Sequence, residues 1–290
     1  MPLNYDSPGE LKAFLEERGL AMRKKWSQNF LINRAVRFRL LEALKLKPGD
    51  PVWEIGPGLG AMTEGLLERE GKVCAFEIDP AFAKALDEIF GHNPDFTLIK
   101  GDVLKTWPQV QAKPGEELFL MGNLPYHIAA ALLGDFIEKG RFFTRMVVTV
   151  QREVAQRMAA AVDTENYSSF SVLCSSVYII KALEVIKGSS FYPVPRVDSQ
   201  GMVLEYSRRD LPELFHPLVR SLFSSRRKMI GNTLPVFISS VLPKQGLSPG
   251  LAKDLAADVL KKADIPRDRR PETLDVDEFA ALAKHLKEIV

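Results

Sequence analysis

The stretch Gly122-Asn123-Leu124-Pro125-Tyr126 holds the residue types best suited to chemistry on the amine of a nucleobase. The exocyclic amine of adenine is a poor nucleophile because its lone pair is delocalised into the ring. Two acceptors that take its N–H bonds favour a pyramidal, more reactive nitrogen. Asn123 supplies one acceptor from its side-chain carbonyl and Leu124 a second from its main chain. Pro125 biases Leu124 toward extended dihedrals, which aims that carbonyl, and adds no competing N–H. Tyr126 offers a flat face for a base drawn out of its stack. Alkylation acidifies the amine, so this chemistry needs no strong general base. Alone, the same residues also read as an Asn turn before a helix, with Tyr126 merely packing.

The upstream pattern favours the chemical reading. Glu54-Ile55-Gly56-Pro57-Gly58-Leu59-Gly60 follows an apolar run and opens a helical pattern, so its glycines let backbone N–H groups approach a ligand closely. Glu77, twenty-one residues after Gly56, ends the next apolar run, where a carboxylate can accept from both ribose hydroxyls of a nucleoside cofactor. A nicotinamide dinucleotide and S-adenosylmethionine both remain open on these residues. Asp102, in Gly101-Asp102-Val103, stands where a carboxylate can accept from an adenine amino group, and it also reads as a helix N-cap.

Short apolar runs alternating with helical patterns must position these groups, which predicts a largely parallel sheet wrapped by helices. Strands are expected at Val52–Ile55, Lys72–Glu77, Phe96–Lys100, Leu118–Gly122, Arg145–Val150, Leu183–Ile186 and Met202–Leu204. Helices are expected at Leu11–Arg18, Asn33–Leu46, Met62–Arg69, Ala81–Phe90, Ile128–Glu138 and Glu153–Ala160. Beyond Glu205 the strand rhythm stops, and Leu211–Phe223, Lys228–Leu234, Leu251–Lys262 and Val276–Ile289 read as helices. The spacing thus predicts a catalytic domain over 1–207, with a basic N-terminal extension, and a helical domain over 208–290.

At 290 residues, 46% hydrophobic and 26% charged, the chain has the composition of a globular enzyme rather than of a disordered or membrane protein. Without an apolar leader or spanning run, it is expected in the cytoplasm, and a monomer is preferred. Cys74 and Cys174 read as reduced, buried thiols, and the spacing of His92, His127, His216 and His285 suggests no metal site. Net charge is only +2, yet Arg18 to Leu41 carries seven basic residues and no acidic one, including Arg23, Lys24 and Lys25. Together with Arg226-Arg227-Lys228 and Arg267 to Arg270, this distribution tilts toward a phosphate-rich partner.

These motifs resemble the ribosomal RNA adenine dimethyltransferase family over nearly the whole chain, and most closely its 16S branch. The resemblance implies a Rossmann-like, seven-stranded S-adenosylmethionine-dependent methyltransferase domain with a small helical domain after it. Gln28-Asn29-Phe30-Leu31 looks like the family's N-terminal cofactor motif, implying that Gln28 and Asn29 hold the methionine end and that Leu31 also binds the cofactor. Glu54, Gly56 and Gly58 match its glycine loop, Glu77 its ribose carboxylate, Asp102 its adenine contact, and Asn123 to Tyr126 its catalytic tetrad. Phe191-Tyr192-Pro193-Val194-Pro195 resembles a substrate-side loop in which Phe191 would clamp the target base with Tyr126. Phe223 to Lys228 resembles a C-terminal motif, implying RNA contacts from Arg226, Arg227 and Lys228. The implied activity uses S-adenosylmethionine without a metal, leaves S-adenosylhomocysteine, and dimethylates adenosines of 16S rRNA in the assembling small subunit. Related enzymes acting on 23S rRNA, and a non-enzymatic ribosome-assembly factor that keeps the fold and RNA surface, are the alternatives.

Overall fold

Ser7 accepts from the N–H of Glu10 at 3.2 Å and Pro8 follows it, so the first helix, α1, runs Pro8–Glu17 and stops before Gly19, whose φ is +61°. The computed structural model describes residues 3–20, 22, 28–111, 115–124, 128–207, 209–242 and 248–289. After α1 come β1 (Phe30–Leu31), α2 (Arg34–Leu44), β2 (Pro51–Ile55), α3 (Ala61–Leu67), β3 (Lys72–Glu77), α4 (Pro80–Phe90) and β4 (Phe96–Lys100). Then follow α5 (Val103–Thr106), β5 (Phe119–Asn123), α6 (Ala129–Glu138), β6 (Arg145–Gln151), α7 (Arg152–Met158) and α8 (Ser169–Val177). The sheet strands end with β7 (Tyr178–Ile186), β8 (Phe191–Tyr192) and β9 (Ser199–Tyr206). Among the described residues, α9 (Phe215–Phe223), α10 (Ile230–Val241), α11 (Pro249–Lys262) and α12 (Val276–Lys287) follow.

Seven strands form one sheet in the order β4-β3-β2-β5-β6-β9-β7, and β1 pairs with β8 in a separate antiparallel ribbon. Pairings from β4 through β6 are parallel, whereas β9 runs antiparallel to β6. Helices on both faces of a parallel sheet bury its central strands, which accounts for the apolar runs of β2, β5 and β6. The polar residues in those strands deserve their own explanation: Glu54, Asn123 and Thr149 all stand near the C-terminal ends.

The chain divides into two units, Met1–Ala155 with Ile179–Tyr206, and Gln156–Tyr178 with Ser207–Val290. The boundary expected at 207/208 is therefore only one of three crossings, and residues 156–178 leave the expected catalytic domain. The physical reason is a second apolar core, where Tyr167 and Val172 are buried with Phe215, Leu218, Phe237 and Phe279, and the Tyr167 hydroxyl donates to the Leu274 carbonyl at 2.9 Å.

Two helices differ from their sequence patterns. Ser-rich α8 lies outside the helices expected from the sequence, and serine competes for backbone hydrogen bonds. Here a reciprocal cap between Ser168 and Ser171 starts it, and burial of Phe170, Val172 and Leu173 holds it. The expected stop before Pro235 does not occur. Helix α10 continues to Val241 with Pro235 inside it, because Ile230, Leu234, Phe237 and Ile238 are buried on one face and outweigh one lost hydrogen bond.

Candidate active site

From β2 the chain moves to β3 and β4 on one side, then returns to place β5 on the other side of β2. Connections leaving β2 and β5 in opposite directions open a crevice at their C-terminal ends. A cleft of about 940 Å³, counting the space open to solvent at its mouth, lies there. It gathers every residue expected to hold a cofactor: Gln28, Asn29 and Leu31, then Glu54, Gly56, Gly58, Glu77, Asp102 and Asn123.

Backbone sterics shape the glycine loop. Gly58 has φ +61°, and a Cβ there would stand 2.9 Å from Cε1 of Phe30, so any larger residue meets both a rare conformation and an aromatic ring. Phe30 is held edge-on by Phe82, 5.7 Å between centroids. The loop is also tied to the N-terminal segment, whose buried Tyr5 hydroxyl donates to the Leu59 carbonyl at 2.9 Å. Arg37 bridges the same segment to β1 by donating to Asp6 and to the Leu31 carbonyl.

Three carboxylates are buried beside this loop. Glu77 accepts from the N–H of Asp79 at 2.8 Å and of Gly58 at 3.3 Å. Glu54 accepts from the Thr63 hydroxyl at 2.6 Å. Burial pushes both carboxyls up to about 7, and hydrogen bonds only partly offset it. Among the described residues no cationic side chain pairs with either. Asp79 caps α4 through the N–H of Ala81 at 2.9 Å and also receives Gln28 Nε2 at 3.0 Å, linking the N-terminal motif to the segment after β3. Asp102 is an N-cap, its Oδ1 accepting from Leu104 N–H at 3.1 Å at the start of α5, and it also lines the cleft.

Asn123 ends β5 with its amide held at both ends. Its Oδ1 accepts from the Thr149 hydroxyl at 2.6 Å, and its Nδ2 donates to the Asn29 carbonyl at 2.9 Å. Leu124 is buried, and its N–H donates to the Thr149 carbonyl at 3.0 Å. Pro125 and Tyr126 lie outside the described residues, as does His127. Sequence reasoning missed Thr149, Asp79, Thr63 and Tyr5. The signal for Thr149 was present, a lone hydroxyl in the apolar run Met146 to Val150.

Phe191 requires a correction. Its ring is 1% exposed in the core with Leu31, Val36 and Ile186, and it is not among the described residues lining the cleft. Pairing with Leu31 in the β1–β8 ribbon directs it inward, so stacking on a base would require it to leave its packing.

The basic residues divide by partner. Arg226 donates to the carbonyls of Thr164 and Glu165 at 3.1 to 3.3 Å and faces Glu272, so its guanidinium braces its own unit rather than standing free for RNA. Arg227 and Lys228 are exposed, without an ion pair among the described residues. Arg37 and Arg39 pair with Asp6 and Glu184. Arg23, Lys24 and Lys25 lie outside the described residues. Among the described residues no group of His, Cys, Asp and Glu could hold a metal, and no helix is long and apolar enough to cross a membrane.

A family model described as ribosomal RNA adenine dimethylase matches residues 19–267. A ribosomal RNA small subunit methyltransferase A of Treponema denticola is 44% identical over 281 residues, covering 91% of this chain and 96% of the relative. Its counterpart in Borreliella afzelii is 39% identical over 289 residues, covering 99% and 96%. Among solved structures, a dimethyladenosine transferase from Plasmodium falciparum matches with a TM-score of 0.73 at 25% identity, over 88% of this chain and 96% of that one. The 23S rRNA methyltransferase ErmE shares the fold, with a TM-score of 0.61 at 23% identity over 89% and 99%.

Proposed function

The chain belongs to the ribosomal RNA adenine dimethylase family, and on that premise we propose that it dimethylates two adjacent adenosines near the 3′ end of 16S rRNA. It acts in the cytoplasm as a monomer, on the assembling small subunit, and so contributes to subunit maturation.

The cleft suits S-adenosylmethionine, a cationic ligand with ribose hydroxyl donors, because it buries the carboxyls of Glu54 and Glu77, neither paired with a cation among the described residues. Bound, it supplies a methyl group activated by a sulfonium. Gln28 and Asn29 take the methionine end with Leu31 lining the cleft beside them, the main chain at Gly56 and Gly58 admits close approach beside Glu54, Glu77 accepts from the ribose, and Asp102 accepts from the adenine.

Asn123 Oδ1 and the Leu124 carbonyl accept the two N–H bonds of the target amine, while Pro125 aims that carbonyl and Tyr126 stacks on the base. No residue need act as a strong base, because the alkylated amine is acidic enough to yield its proton to water. Exposed Arg227 and Lys228, with Arg23, Lys24 and Lys25, contact RNA phosphates.

The observation that carries this reading is the location of Asn123, its amide tethered by Thr149 and Asn29, in the cleft that collects the glycine loop and Glu77. Transfer of labelled methyl from S-adenosylmethionine to small subunits lacking the modification is the test. Label on two adjacent adenosines is expected, with the rate lowered roughly a hundredfold or more in Asn123→Ala. Label only on naked 23S rRNA, or none on either acceptor, overturns it.

A further inference from the structure

Strand β6 is apolar from Met146 to Val150 except at Thr149, which is 2% exposed. A hydroxyl in a strand buried on both faces must find a partner. Asn123 and Thr149 are direct neighbours in the β5–β6 register, so their side chains share a face of the sheet, and the Thr149 hydroxyl donates to Asn123 Oδ1 at 2.6 Å. The Thr149 carbonyl also accepts the N–H of Leu124 at 3.0 Å. One residue therefore touches both residues whose oxygens take the amine's N–H bonds.

We propose that Thr149 is a positioning residue for methyl transfer, its hydroxyl fixing where Asn123 presents Oδ1 to the target amine. This rests on the methyltransferase reading above. The terminal torsion of an asparagine is broad, so a carboxamide held by one contact swings. Nδ2 is anchored on the Asn29 carbonyl, and turning the amide over would set Oδ1 against that same carbonyl. That contact decides which atom faces which way, but it leaves the oxygen end loose. The Thr149 hydroxyl holds that end. A carbonyl oxygen has two acceptor sites, and Thr149 takes one, leaving the other for the amine. The benefit is realised as the amine becomes pyramidal, not when cofactor or RNA binds, so its loss falls on kcat.

Thr149→Val removes the hydroxyl at nearly constant shape, and Thr149→Ser restores it. With undermethylated small subunits and labelled S-adenosylmethionine, Thr149→Val is expected to lower kcat roughly tenfold, the scale of one buried neutral hydrogen bond, with both KM values within about twofold. Thr149→Ser should recover kcat to within about threefold of wild type. If the valine variant lacks a cofactor-induced thermal shift, Thr149→Ala replaces it under the same criteria. Unchanged kcat without the hydroxyl, an equal fall in the serine variant, or a change in KM alone overturns the proposal. Failure of the wild-type protein to label adenine in these subunits would instead defeat the underlying reading.

Discussion

The side-chain amide of Asn123 donates to the main-chain carbonyl of Asn29 at 2.9 Å, joining residues 94 positions apart in sequence. The residue assigned to the target amine thus also anchors the segment assigned to the cofactor.

Asn123→Ala should therefore lose on two counts. Its kcat is expected to fall by roughly a hundredfold or more, the scale seen when a transition-state contact is removed. Titration with S-adenosylhomocysteine should show a several-fold weaker Kd, because the Asn29 tether is gone. Asn123→Asp should bind the cofactor no better than the alanine variant, since a carboxylate oxygen then faces the Asn29 carbonyl.

The carboxyls of Glu54 and Glu77 stand at about 7 when folded, against 4.5 as ordinary carboxyls, chiefly through burial. The folded state therefore holds protons that the unfolded chain has released. The resulting stability is fully present below about pH 4.5 and is lost as pH rises through about 7. Without cofactor, Glu54→Gln or Glu77→Gln should melt higher than wild type at pH 8, by roughly 2–5 °C, and the gap should close toward pH 5. Cofactor affinity runs the opposite way, rising with pH across that window, because a cationic ligand favours the ionised carboxylates. Melting scans and binding isotherms over pH test both slopes.

Phe191 predicts a stability phenotype. Phe191→Ala should cost about 3–5 kcal/mol in denaturant unfolding, as expected for emptying a fully buried aromatic site. Phe191→Leu should retain most of that stability and most of the methyl-transfer rate, whereas a ring needed for base stacking would lose the rate.

The arginine pair should separate. Arg226→Ala is expected to lower the melting temperature by removing the brace on Thr164 and Glu165. Arg227→Ala and Lys228→Ala should leave it unchanged, weaken RNA binding, and each reduce the salt slope of binding by about 1. Melting curves and salt-dependent binding isotherms separate the two effects.

Much of the cleft was legible because its chemistry lies at strand ends: Glu54, Glu77, Asp102 and Asn123 each follow or close an apolar run, and the glycines mark the first turn. What stayed hidden depends on partners far along the chain. Nothing near Tyr5 announces Leu59, nothing near Asp79 announces Gln28, and Arg226 looks as free as Arg227 until Thr164 and Glu165 fold against it. Phe191 misled for the same reason, since the motif names the residue while the β1–β8 pairing directs its ring. Local propensity lost to burial at α8 and at Pro235.

The interrupted course of the chain also constrains the order in which the fold can be completed. Strand β9 lies between β6 and β7 yet follows β7 in sequence, so β7 has no sheet neighbour until residues up to Tyr206 have been synthesised. Meanwhile Tyr167 and Val172 are made before Phe215, Leu218 and Phe279, the residues that bury them. Domains generally fold from the N-terminus as synthesis proceeds. Here a nascent chain halted just short of β9 would carry both an open sheet edge and a stranded piece of the second core, a state prone to mispairing that closes only when the later residues arrive.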